Sequence, residues 1–310
     1  MKYIANKWFN VTKCPACSCS DVIDKGLLVS DYYFFGEDEV IALPPEGIGI
    51  AECKNCRLFF KTTLPTPYFL TEVITRQAGK VWNDDYNLIF EKKFIEKFID
   101  GINFDLLDVG PSNGALLNAF SDSQGRRSGL DIVQHPGLEK HLSGEFIQGL
   151  LDEESLNWSE KPYDVITLYD VFEHFYNPNF AFINLNKLLK RKGIFVLETG
   201  NAERYYSKNF GLNQWWYTNL FEHHIFLQPK SILYYAKKYG FKILYMKNVR
   251  HKSWRYKSLI SKINKIMQFS LWFVLPDLYR KIANKFNQNG MTAPRTPFPK
   301  DHFVVVMQKL

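Results

Sequence analysis

Leu106-Leu107-Asp108-Val109-Gly110-Pro111-Ser112-Asn113-Gly114-Ala115-Leu116-Leu117-Asn118 holds a strand, a tight turn and the start of a helix. Phe104–Val109 is apolar and β-prone, with Asp108 near its end, and Ala115–Phe120 reads as helix, capped by Ser112 or Asn113. In α/β proteins such a corner is where a cofactor meets the backbone. Glycine is needed there because the chain turns sharply and approaches the ligand with no Cβ in the way. The spacing Gly110-x-Ser112-x-Gly114 does not supply the Gly-x-Gly-x-x-Gly of dinucleotide binding. Two patterns do fit it. One is Gly-x-Ser-x-Gly, an elbow presenting Ser112 as the nucleophile of a serine hydrolase. The other is an Asp-x-Gly-x-Gly-x-Gly loop with Ser112 in place of its middle glycine. The elbow reading is the weaker, because this strand is the first of its sheet and no HGGG-like oxyanion loop precedes it.

Outward from the corner, the chain alternates strand and helix. A weak strand at about Arg127–Ile132 ends in Gly129-Leu130-Asp131. A carboxylate at the tip of a second strand can accept both hydroxyls of a ribose, and Asp131 follows Gly114 by 17 residues. Strand three, Glu145–Gln148, leads to Leu150 and Leu151, apolar side chains able to sandwich an adenine. Val165–Leu168 is a buried strand with Tyr169 and Asp170 at its carboxyl end, followed by Glu173-His174. Asn179–Lys190 is an amphipathic helix and Ile194–Leu197 the next strand; Ser231–Tyr239, Phe241–Tyr245 and Asp301–Gln308 read as helix, strand and last strand. Upstream, residues 71–100 read as helix, with Tyr86 on its N-terminal half.

All five cysteines lie in the first 62 residues. Cys14-Pro-Ala-Cys17 and Cys53-Lys-Asn-Cys56 are two knuckles 35 residues apart, and two knuckles close a tetrahedral zinc site. Strands at Gly26–Ser30 and Ile48–Glu52 complete a ribbon, and four sulfurs make the metal structural. Cys19 reads as an ordinary thiol. Leu64-Pro65-Thr66-Pro67 is a stiff linker, so residues 1–63 form the ribbon module and 64–310 the main domain.

A chain of 310 residues can bury a full core, and 16% aromatic residues point to a binding surface as well. MKYIANKWFN has no apolar signal-peptide core, and no apolar run approaches the roughly 20 residues of a spanning helix. A cytoplasmic protein with reduced or metal-bound cysteines is expected.

Taken together, DVGPSNG (108–114), GLD (129–131), YDVITLYDVFEH (163–174) and LLKRKGIFVLE (188–198) resemble motifs I to V of the class I S-adenosylmethionine-dependent methyltransferases, in order and interval. The resemblance spans about residues 70–250 and the terminal strand. It implies a Rossmann-like seven-stranded sheet with helices on both faces. It also implies that Asp108, Gly110, Pro111, Ser112 and Gly114 hold the methionine end of the cofactor. Asp131 and Ile132 would then bind the ribose, Leu150 and Leu151 would lie near adenine, and Tyr169 and Asp170 would flank the methyl or amino group. Leu150 stands where an acid is often found.

The substrate side is aromatic: Tyr205-Tyr206, Trp215-Trp216-Tyr217, then Leu220-Phe221-Glu222-His223. Sugar C-methyltransferases carry Tyr-x-Glu-His here and a similar four-cysteine module, which this chain resembles. An imidazole near neutrality can take a proton from a substrate, oriented by a carboxylate, so His223 with Glu222 is the candidate base and His174 a further candidate. The expected acceptor is a sugar or other small metabolite, methylated on oxygen or carbon in cell-surface glycan or secondary metabolism. The alternative is an RNA base held by the ribbon. Against RNA, the basic charge sits in an insertion at about 251–292: from Arg250 to Gly290 there are nine Lys or Arg and one acid. There Tyr256, Leu259, Ile260, Ile263, Ile266 and Met267 trace a helical face and Leu271–Leu275 forms an apolar wedge, the pattern of a peripheral contact with the inner membrane face or of a lid or subunit contact.

Overall fold

The computed structural model describes residues 5–36, 39–81, 87–154, 156, 161–204, 211–252, 258–285, 294 and 300–310. Tyr86, Tyr205, Tyr206 and Tyr256 lie outside them. The main sheet has seven strands: β1 (Leu106–Val109), β2 (Arg127–Asp131), β3 (Phe146–Gln148), β4 (Tyr163–Tyr169), β5 (Leu189–Gly200), β6 (Phe241–Val249) and β7 (His302–Lys309). Their order is 3-2-1-4-5-7-6. Strands β3, β2, β1, β4 and β5 run parallel, in a register that sets Val109 beside Leu130 and Leu168, and Asp131 beside Gln148. Strands buried on both faces need continuous apolar runs, and β1 and Val165–Leu168 of β4 are buried throughout.

Two compact units divide the described residues. One comprises Thr71–Thr199, Ile232–Lys247 and Val304–Leu310. Its core is aromatic: Phe182 stacks on Tyr235 and Tyr239 at 4.6 and 5.3 Å and meets Phe195 of β5 edge-on. Phe182 belongs to helix Pro178–Leu188, which begins one residue ahead of the expected Asn179 and gives way to β5 at Leu189. The Asn177 carboxamide oxygen accepts the Asn179 and Phe180 N–H groups, and Pro178 fills the first turn. The single helix expected over 71–100 is instead two, Pro67–Gln77 and Ile89–Ile95, followed by a 3-10 turn. The first stops ahead of Gly79, whose φ of +79° is left-handed and cannot continue a helix.

The other unit comprises Met1–Leu70, Gly200–Ser231 and Asn248–Phe303. Its four-stranded antiparallel sheet takes Val22–Leu28, Ile48–Cys53 and Phe59–Lys61 from the first segment and Ile225–Phe226 from the second. Phe221, 1% exposed, sits among Trp8, Tyr33, Phe35 and Phe69 at ring distances of 5.5–6.4 Å. The residues after 200 therefore complete the core of the N-terminal segment. Phe221→Ala removes the ring on which four others converge; we expect a loss of about 3–5 kcal/mol in denaturant unfolding. A loss under about 1 kcal/mol would show that the cluster does not hold this unit together.

Candidate active site

Parallel strands end on one edge, and at that edge the structure brings together the residues expected to bind a cofactor. Asp108 closes β1, 5% exposed, its Oδ1 accepting the Thr167 hydroxyl at 2.6 Å. The loop that follows has left-handed backbone at every second residue: Gly110 at φ +68°, Ser112 at +52° and Gly114 at +84°. A Cβ on Gly110 would lie 2.5 Å from Val171 Cγ2, and one on Gly114 2.9 Å from the His141 ring, so both positions require glycine twice over. Within this loop Ser112 is the L-residue held in the left-handed region, a conformation that glycine adopts without strain. The expected cap is displaced: the helix starts after Gly114 with no side-chain cap, and Asn113 Oδ1 accepts the Ala115 N–H at 3.2 Å.

Asp131 ends β2 beside this loop, half-buried, with Oδ1 accepting the Ile132 N–H at 2.7 Å. Burial pushes its carboxyl up to about 7, against the pull of the Ile132 and Val133 amides. A desolvated acid that keeps open surface is suited to accept hydroxyl donors, as a ribose diol would supply. Past β3, Leu151 is fully buried and Leu150 half-buried, so of the two it is Leu150 that keeps surface for an adenine. The nearby acid is two residues on. Asp152 is buried, and its Oδ2 accepts the Tyr176 and Asn177 N–H groups at 2.6 and 2.8 Å. It ties the two connections together, and burial raises it to about 6. At the end of β4, Tyr169 and Asp170 are half-buried. Asp170 takes a left-handed φ of +55° while its N–H donates to the Glu198 carbonyl at 2.9 Å. Glu173, buried, accepts the Thr199 hydroxyl at 2.8 Å, and His174 beside it is half-buried. An acid-edged loop with no room for side chains, next to a second desolvated acid, fits S-adenosylmethionine: Gly110 to Gly114 would cradle its amino-acid end and Asp131 its ribose.

In the other unit, Glu222 and His223 are both buried. His223 Nδ1 lies 3.0 Å from the Tyr217 carbonyl oxygen, and its ring packs 4.2 Å from the Tyr217 ring. A carbonyl at Nδ1 fixes that nitrogen as the donor and leaves Nε2 as the basic one. Glu222 faces a charge that the sequence reading did not pair with it: Lys61, fully buried, whose Nζ donates to the Leu220 carbonyl at 2.6 Å. Burial draws this ammonium down to about 7, opposed by the Glu222 carboxylate.

The sequence reading also passed over Asp301, His302 and His251. The Asp301 carboxylate is buried, with Oδ1 2.9 Å from His302 Nδ1 and Oδ2 accepting the Trp216 indole N–H at 2.9 Å. Burial would raise this acid, but the His302 charge and its hydrogen bond outweigh that and hold it below the usual carboxylate range. The His251 and His302 rings stand 4.6 Å apart. In sequence they lie on opposite sides of the basic insertion, and Asp-His reads only as the start of a strand.

The four cysteines Cys14, Cys17, Cys53 and Cys56 converge, with all sulfurs within 4.8 Å of one another and Cys14–Cys56 and Cys17–Cys53 each at 3.4 Å. Four thiolates sharing one zinc at about 2.3 Å each stand roughly 3.8 Å apart, so the cluster fits that ion. The knuckles repeat one design. Ser18 and Arg57, each following a second cysteine, take φ of +56° and +64° and donate N–H to the carbonyls of Cys14 and Cys53. Cys19 is outside the cluster, with its thiol near the Asp21 carbonyl.

This sheet order and cofactor edge define a class I S-adenosylmethionine-dependent methyltransferase. Residues 70–245 match the family described as methyltransferase domain, and the chain belongs to that family. A methyltransferase domain leaves no place for the hydrolase reading of Ser112. Among solved structures, the chain is similar to the 1,6-didemethyltoxoflavin-N1-methyltransferase of Burkholderia thailandensis, at 12% identity and a TM-score of 0.50, over 90% of this chain and 99% of that one. It is also similar to a SAM-dependent methyltransferase of Archaeoglobus fulgidus, at 17% identity and a TM-score of 0.45, over 78% and 100%. At these identities the likeness is one of fold. No curated protein matches the sequence.

Asp131→Asn keeps the shape and removes the charge. Cofactor affinity should fall about 10- to 100-fold by calorimetry, the size of losing charge-assisted hydrogen bonds. In the native chain, affinity should weaken as pH drops below about 7 and the acid protonates, and the variant should lose that dependence. The sign for stability is opposite. The folded value lies above the ordinary 3.8, so the charge costs stability that grows as pH rises between these values and is full above about 7. The variant should therefore melt higher than the native chain at pH 8; a lower melting temperature would contradict the desolvation of this acid.

Proposed function

We propose that the protein methylates a sugar or other small metabolite, on oxygen or carbon, in cell-surface glycan or secondary-metabolite biosynthesis in the cytoplasm. The observation that supports this reading is the cluster of buried rings and imidazoles formed by Trp215, Trp216, Tyr217, His223 and His302. Aromatic faces with a few convergent polar groups suit a compact acceptor better than a nucleic acid strand. The structurally similar toxoflavin-pathway enzyme carries a small molecule in its crystal, which is compatible with this reading.

S-adenosylmethionine, when bound, supplies an electrophilic methyl group. The chain's part is to hold the acceptor in line with it and to take away a proton where the acceptor carries one. Asp108, Gly110, Pro111, Ser112, Gly114, Asp131, Ile132, Leu150, Leu151, Tyr169 and Asp170 form the cofactor side. His223 Nε2 accepts the acceptor's proton, with Nδ1 fixed by the Tyr217 carbonyl and Glu222 supplying negative charge nearby. His174 is a second substrate contact. Residues 1–63 act as a ribbon module around structural zinc on Cys14, Cys17, Cys53 and Cys56.

His223→Gln should lower turnover about 100-fold or more while cofactor affinity stays within about twofold; unchanged turnover would remove His223 from the chemistry. Transfer of labelled methyl should be seen with nucleotide sugars or lipid-linked sugars and not with RNA; transfer to RNA would replace the proposal with the ribbon-bound RNA reading. Metal analysis should find one zinc per chain, and Cys17→Ser or Cys53→Ser should release it and lower the melting temperature. A full zinc complement in both variants would refute the four-sulfur site.

A further inference from the structure

Two helices precede β7, Leu259–Val274 and Pro276–Lys285. The first is capped by the Ser258 hydroxyl, which accepts the Ser261 N–H at 3.2 Å. Helices of a globular protein turn their apolar stripe inward. Here an apolar stripe faces out. Leu259, Ile263, Met267 and Val274 share one side of the first helix, Leu278 and Ile282 one side of the second, and all six are 41–74% exposed. The inward contacts are made by other residues, Trp272, Tyr279 and Ala283, which are buried. The stripe is therefore additional to what packs these helices. It is set in a strongly one-signed field: Arg250 to Gly290 holds nine basic residues to one acid, and that acid, Asp277, lies 3.3 Å from Arg280.

Three occupants could cover such a face, and charge separates them. A second copy of this chain would set one basic stripe against another, which like charges oppose. A nucleic acid would meet the charge but leave the aliphatic side chains in water. A bilayer with acidic headgroups answers both, because Lys and Arg reach the phosphate layer while Leu, Ile, Met and Val enter the acyl boundary. Among the described residues no helix is long and apolar enough to cross a membrane, so these helices would lie in its surface plane.

We infer that the helical pair 258–285 docks on an anionic lipid bilayer, lying flat with the stripe from Leu259 to Ile282 in the headgroup–acyl boundary. Co-sedimentation of the full chain with vesicles tests it. Retention on phosphatidylcholine vesicles containing roughly 30% phosphatidylglycerol should exceed retention on phosphatidylcholine alone by about tenfold or more. It should fall several-fold when salt rises from about 0.1 to about 0.5 M, as screening shortens the attraction. The double variant Ile263→Glu with Met267→Glu should lose about tenfold in retention with an unchanged circular dichroism spectrum and melting temperature, because neither side chain is part of the core. Equal retention on the two vesicle types, or none on either, overturns the inference. So does a dimer in sedimentation velocity that this double variant dissolves, or retention on RNA in place of vesicles.

Discussion

Everything in the cofactor half follows from one steric constraint: the backbone leaving β1 must reverse within five residues while keeping its inner surface free of side chains. Left-handed conformations at Gly110, Ser112 and Gly114 achieve the reversal. The space a Cβ would need at Gly110 is already filled by Val171, from the connection after β4. The loop is thus locked against the neighbouring strand's exit. Asp131 is placed by the same register, one strand over, and Gly149 N–H donates to its carbonyl at 2.9 Å, so the β3 exit is tied to the β2 tip.

Left-handed residues other than glycine mark the other demanding sites. Five occur among the described residues, Ser18, Arg57, Ser112, Asp170 and Lys192. Two close the cysteine knuckles and two lie at the exits of β1 and β4. Each such conformation costs about 1–2 kcal/mol and persists only where surrounding contacts fix it. Their concentration at the sulfur cluster and at the β1 and β4 exits says that these turns are fixed by surrounding contacts rather than by local preference.

That pattern also explains what the sequence disclosed. Strands β1 and β4 were legible because a strand buried on both faces is a run of apolar residues, and the cysteine pairs because a metal knuckle needs fixed spacing. The acid of Asp131 was legible from its place after Gly-Leu. Local signals do not report partners far apart in the chain. Nothing near Phe221 announces Trp8 or Phe69, nothing near Glu222 announces a buried ammonium at Lys61, and Asp301-His302 gives no sign of His251 and Trp216. The fixed tautomer of His223 depends on a carbonyl six residues away, which no side-chain pattern encodes.

The strand order has a consequence for biogenesis. β7 lies between β5 and β6, yet its residues are translated after both, with the two exposed helices coming off the ribosome in between. Until β7 has been made, β5 and β6 each keep an unpaired margin, beside a long aliphatic stretch. Unpaired strand margins beside an aliphatic stripe are prone to wrong pairing, so this interval is the one in which the chain is most open to aggregation.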